Sequence, residues 1–188
     1  MVFTIDSGYT RKCKDSQGGV SEVYLFPYVD YPNSQIITNG NILTTFPNTT
    51  IYKFYTNNIP NASEPQETDA GGKFYNQSIS LDLQYKDDHQ NIVKFLKKDY
   101  RLIFKDNNGN YRIFGLYNSV FCDSVEYTTG NGKSDFNGFK LSFNGKEEKQ
   151  SFFITNLSDA GFIIESFFRI TEIGDFRITQ SGEFRITQ

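Results

Sequence analysis

The sequence predicts a mainly β protein, a β-sandwich or barrel with one flanking helix, and three patterns carry that prediction. Short apolar–polar alternations recur along the chain. The clearest has Ile79, Leu81, Leu83 and Tyr85 interleaved with Ser78, Ser80, Asp82 and Gln84, the period of a strand with one buried face. Turn punctuation separates the alternations: 15 Gly and many Asn, with Asn-Gly and Pro-Asn pairs, residues that tolerate the backbone angles of tight turns. Aromatic residues make up 16% of the chain, with 19 Phe and 12 Tyr. Large rings bury much apolar area with few residues, so a core forms although only 37% of residues are hydrophobic. With 188 residues, one domain or one domain with an appendage is expected.

Taken in order, residues 20–28 (VSEVYLFPY) read as a strand stopped near Pro27. Residues 35–38 and 51–55 read as further strands. Residues 57–73 carry one large apolar residue, two prolines, a Gly-Gly pair and the acids Glu64, Glu67 and Asp69. That composition predicts a long exposed loop, and long loops in compact domains are usually functional or mobile. The strand of residues 78–85 follows. In DDHQNIVKFLKK the period changes, with Ile92, Phe95 and Leu96 at i, i+3 and i+4, which predicts a helix. Asp87 and Gln90 resemble a capping box, and Lys94, Lys97 and Lys98 suit the C-terminal end of the dipole.

Residues 101–105 and 111–117 flank Asp-Asn-Asn-Gly-Asn, a hairpin signal. A strand over 119–127, a polar turn over 128–135, a strand through Phe139, Leu141 and Phe143 closed by Asn144-Gly145, and a short final edge at 152–154 complete this part. The C-terminus then repeats with a period of eight: FRITEIGD (168–175), FRITQSGE (176–183) and FRITQ (184–188). Phe168, Ile170, Phe176, Ile178, Phe184 and Ile186 share one face of such units, as a small meander or as stacked rungs. The expected division is a β domain over 1–156 and a C-terminal β-repeat extension over 157–188.

Chemistry has little to work with. Lys+Arg is 19 and Asp+Glu is 22, a net charge of −3, which argues against gripping DNA by its phosphates. His89 is the sole histidine and lacks partners at metal-ligand or acid–base spacing. Cys13 and Cys122 form no metal-type pair, and buried free thiols are expected. Residues 106–110 (DNNGN) lack the acid ladder of a calcium loop and read as a turn. Lys94, Lys97, Lys98, Arg101 and Lys105 read as a solvated basic face or as intersubunit ion partners. No nucleophile elbow, zinc-protease or P-loop motif is present. No enzyme activity, metal or cofactor is expected. The N-terminus lacks the pattern of a signal peptide, no apolar run reaches bilayer length, and a soluble protein made in a cytoplasm is expected.

The order of elements carries a resemblance. The opening RKCKDSQGGVSEVYLFPY, a long polar loop, the strand FYNQSISLDLQY, the helix DDHQNIVKFLKK, the hairpin RLIFKDNNGNYRIFGLY and the strand NGFKLSFNG together resemble the tail tube proteins of long-tailed phages, especially those of Bacteroidetes hosts. The resemblance covers roughly residues 10–156, and the FRIT repeats depart from it. It implies a tail-tube-type fold and a non-catalytic virion subunit, assembled in the host cytoplasm into stacked hexameric rings around a DNA channel. It also implies tape-measure and tail terminator proteins as partners, with phage DNA passing non-specifically and no membrane. On that reading Ser78, Ser80, Asp82 and Gln84 are candidates to face the lumen, and Glu64, Glu67 and Asp69 to form an inter-ring loop. The other expectations weighed are a different tail or head-to-tail connector protein, and a carbohydrate- or surface-binding β module.

Overall fold

The computed structural model describes residues 17–54, 56, 60–69, 71–84, 98–132 and 135–165, and the strands 176–178 and 184–186. Thirteen strands form one curled sheet, a half-barrel: β1 (Val20–Pro27), β2 (Ile37–Asn39), β3 (Ile42–Thr45), β4 (Thr49–Phe54), β5 (Asn61–Ser63), β6 (Gln66–Asp69), β7 (Gly72–Gln84), β8 (Asp99–Asp106), β9 (Tyr111–Phe114), β10 (Val120–Thr128), β11 (Gly138–Glu147), β12 (Phe152–Ile154) and β13 (Phe162–Glu165). A separate antiparallel pair is made by β14 (Phe176–Ile178) and β15 (Phe184–Ile186). The fold is mainly β, as the alternations predict. The expected helix falls on residues 87–98 and, apart from Lys98, lies outside the described residues, as do His89 and Cys13.

β8 is the branch point. It pairs with β1 on one side and with both β9 and β10 on the other. Beyond β9 the sheet runs through β12 and β3 to β2, and beyond β10 through β11 to β7, which carries β5 and β6 on its far edge. β1 continues outward to β4 and β13. The β1–β8 ribbon therefore has sheet or loop on both faces, and both faces are buried. Alternation along β8 sends Ile103 into one core with Tyr24, Phe26, Phe46, Ile113, Phe152 and Phe162. It sends Tyr100, Leu102 and Phe104 into a second core with Val23, Leu25, Ile79, Leu81, Leu141 and Phe143. A strand buried on both faces reads as a continuous apolar run, which is why LIF and VYLF stand unbroken in these two strands.

Four expectations need correction. Residues 57–73 are not one long loop: β5 pairs with residues 78–80 of β7, and β6 pairs with residues 72–75. These are edge strands whose side chains are largely exposed. Main-chain hydrogen bonds to β7, one side-chain bond from Asn76 Nδ2 to Glu67 Oε1 and the contact of the small Ala62 with the second core hold them, so no alternation of large apolar residues announces them. Asn144-Gly145 does not end β11, which runs on to Glu147. Gly145 is there because the backbone at Ser119 and Val120 lies against it, and a Cβ would fall 2.8 Å from the Ser119 carbonyl oxygen. Residues 152–154 are no edge, since β12 sits between β9 and β3.

The fourth correction concerns the boundary at 156. The packed sheet continues through Glu165, because β13 lies parallel to β4 and Leu157, Ala160 and Phe162 belong to the first core. Of the repeat residues, Phe168 and Ile170 lie outside the described residues. Phe176 is in register with Ile186, and Ile178 with Phe184. These two units therefore form a meander pair, since stacked rungs would be parallel.

Candidate functional site

The polar face of β7 is continued by β11. Ser78 is in register with Asn144, Ser80 with Ser142, and Asp82 with Lys140. Ser80 and Lys140 are exposed, and Ser78 and Asp82 are half-buried. The strand places Ser78, Ser80 and Asp82 on one polar face, and Asp82 meets an opposite charge across the strands. For Gln84 only its backbone, paired with Gly138, is described.

The three acids expected in one loop have separate environments. Glu67 and Asp69 are exposed on β6. Glu64, in the turn between β5 and β6, is drawn into the fold. Its Oε1 accepts from Gln77 Nε2 at 2.7 Å and from the Ser151 N–H at 2.6 Å, and its Oε2 accepts from Ser151 Oγ at 2.7 Å. Arg112 Nη1 lies 3.9 Å from Oε2. Gln77 is itself buried, with its Oε1 accepting the Gly115 N–H at 2.8 Å. One carboxylate thus ties the β5–β6 edge to β7, β9 and the turn before β12. Glu64→Ala strands the Ser151 and Gln77 donors and should lower stability by about 1–3 kcal/mol, whereas Glu67→Gln should stay within about 0.5 kcal/mol. Urea denaturation midpoints of the two variants check this. Removal of residues 64–69 should likewise destabilise the fold rather than spare it.

A groove of about 470 Å³ opens where the loop after β1, the start of β8, the β9–β10 connection and the end of β11 converge. Its floor carries two buried charges, Arg101 at 1% exposure and Glu147 at 3%. Arg101 is the largest correction to the basic run read from the sequence: it is not on a solvated face. It shares its strand face with Ile103, and that face is covered by the first core. Its Nε donates to the Leu116 carbonyl at 3.1 Å and its Nη1 to the Val29 carbonyl at 2.8 Å. The guanidinium lies 4.1 Å from the Tyr28 ring centre and 5.2 Å from that of Phe46, a stacked setting that suits arginine rather than lysine.

Tyr28 is fixed in turn, its hydroxyl donating to the Tyr117 carbonyl. Glu147 Oε1 accepts the N–H groups of Tyr117 at 2.8 Å and Asn118 at 2.9 Å. Burial pushes the Glu147 carboxyl above the usual range, against those two N–H groups and the Arg101 charge, which pull it down. Burial also lowers the proton affinity of Arg101, while the nearby Tyr28, Tyr31 and Glu147 raise it. Arginine nevertheless keeps its charge in proteins.

At the far end of β8 the DNNGN segment is a turn. Asp106 Oδ1 accepts the N–H groups of Asn108 and Asn110 at 2.9 and 2.8 Å. Burial alone would raise the Asp106 carboxyl, but these bonds and the Asn110 amide outweigh it and hold it below the ordinary range. Among the described residues no group of three or more His, Cys, Asp or Glu could hold a metal. Cys122 is a buried free thiol, pushed up by burial to about 11.

Sequence reasoning missed Arg101, Glu147 and Gln77 as buried polar groups. The one available signal was an arginine at the head of an otherwise apolar strand, RLIF. No protein-family model matches the chain, no curated protein matches it, and no solved structure matches it.

Proposed function

We propose that the chain is a non-catalytic virion subunit, a tail tube protein that assembles through its sheet edges into stacked hexameric rings around a DNA channel. The observation that supports this reading best is the state of those edges. Among the described residues β13 pairs only with β4 and β2 only with β3, and each of these edge strands carries a large exposed apolar side chain, Ile163 at 56% and Ile37 at 53%. Open strand edges with apolar side chains invite pairing with another chain, and a closed ring satisfies all of them by symmetry. The polar face of Ser78, Ser80 and Asp82 beside Lys140 is the candidate channel lining, since a face with its charges matched offers DNA phosphates little to grip. Tape-measure and terminator proteins would engage the two ends of such a tube.

Electron micrographs of the purified full-length protein, with light scattering to count subunits, test the proposal. Hollow rings or tubes with six-fold symmetry are expected. A protein that stays monomeric across the accessible concentration range would overturn it, and rings of another symmetry would favour a connector instead.

A further inference from the structure

We propose that the groove between Arg101 and Glu147 is a binding site for a small zwitterion of the α-amino-acid type, its carboxylate on Arg101 and its ammonium on Glu147. The inference is independent of the assembly reading. It starts from two opposite charges buried on one groove floor that do not form an ion pair: their nitrogen and oxygen atoms are not within 4.0 Å of each other. Isolated buried charges are expensive unless hydrogen-bonded and paired, and each of these is only half provided for.

On Arg101, the Leu116 and Val29 carbonyls take Nε and Nη1, and Nη2 has no hydrogen-bond partner among the described residues. On Glu147, both N–H donors go to Oε1, and Oε2 has none among the described residues. Neither free atom is sealed in, since no fully buried side-chain nitrogen or oxygen lacks a partner among the described residues. Each therefore keeps some exposure, and because both residues line the groove, it is the space in which one ligand can reach a free donor on Arg101 and a free acceptor on Glu147. The protein bonds on Nε, Nη1 and Oε1 hold both charged groups in place without a ligand, so little ordering accompanies binding.

The surroundings select the ligand class. Arg101 and Lys149 stand against Asp30, Glu147 and Glu148 in the lining, so a phosphate or other polyanion meets net repulsion. The rings that a sugar would stack on already carry cations: Arg101 lies over Tyr28, and Lys149 Nζ is 5.4 Å from the Tyr117 ring centre. A ligand with one carboxylate and one ammonium neutralises both buried charges at once. The volume of about 470 Å³ leaves room for a side chain beyond the shared head group.

The test uses the full-length, ¹⁵N-labelled protein titrated with glycine, L-alanine, L-serine, L-glutamate, L-lysine and L-phenylalanine, followed by amide chemical shifts. At least one should bind saturably and move the Tyr117 and Asn118 amides, which donate to Glu147. The N-acetyl and the carboxamide derivatives of that amino acid each lack one charge and should bind at least about tenfold more weakly, as loss of one charge-assisted hydrogen bond predicts. Glu147→Gln keeps an oxygen for the two N–H groups and should show the same loss. Absence of saturable shifts up to about 10 mM, a range that reaches millimolar affinities, would overturn the proposal. So would equal binding of the blocked derivatives, a comparison made on the wild-type protein that holds even if Glu147→Gln does not fold.

Discussion

A chain cut after Asn156 will not reach the native fold. The cut removes Leu157, Ala160 and Phe162 from the first core and strips β4 of its parallel partner. The Phe162 ring stacks on Phe46 at 5.1 Å between centres and lies 5.7 Å from Phe26. The loop into β4 also loses two backbone bonds, from Phe46 N–H to the Ala160 carbonyl and from Thr49 N–H to the Gly161 carbonyl. Phe162→Ala alone should cost about 3–5 kcal/mol, against a total stability of about 5–15 kcal/mol for an ordinary domain. The truncation adds to that loss and should leave a chain without the near-ultraviolet dichroism of packed aromatics. A soluble fragment 1–156 with a cooperative urea transition near that of the full chain would show that β13 is an accessory. Gly161 belongs to the same junction: at φ +99° it turns into β13, and a Cβ there would sit 2.3 Å from the Phe46 carbonyl oxygen.

Arg101→Met will destabilise the protein by about 2–5 kcal/mol, the cost of stranding two carbonyl acceptors at about 1–3 kcal/mol each. Methionine fills much of the space beside Tyr28 and Phe46 but leaves the Val29 and Leu116 carbonyls without donors and Glu147 without its facing charge. The loss should depend on pH in a defined direction. The Glu147 carboxyl already sits above the usual range in the fold, and without Arg101 it rises further. A group with a raised folded pKa favours the folded state below its unfolded pKa, and that contribution fades as pH rises through the folded value. The difference between variant and wild type should therefore be largest at neutral pH and shrink as pH falls into the carboxylate range. Urea midpoints across that range measure it. A penalty that does not change with pH would mean that Glu147 does not sense Arg101.

The strands with one wet face were legible in the sequence. β7 and β11 follow the alternation residue by residue, Ile79 and Leu81 inward, Ser80 and Lys140 outward. The β8–β9 hairpin followed from Asp-Asn-Asn-Gly-Asn, whose Gly109 adopts φ +89°. The β5 and β6 edges were not legible, because those strands carry no large apolar side chain and are fixed mostly by backbone bonds to β7. Nor was the site: Arg101 and Glu147 are separated by 46 positions, and nothing in either local pattern points at the other.

That this chain is built of strands, and where most of them turn, is written in the local sequence, because the period of side chains and the angles open to Gly and Asn are local properties. That β8 has a layer on both faces, and therefore that Arg101 is buried rather than solvated, emerges from the packing of the sheet. The same packing brings residues 157–165 into the core and makes Glu64 a tie rather than part of a free loop. Burial depends on which strands lie alongside and above, a relation between distant segments. Period-two alternation says which side chains share a face but not what covers it.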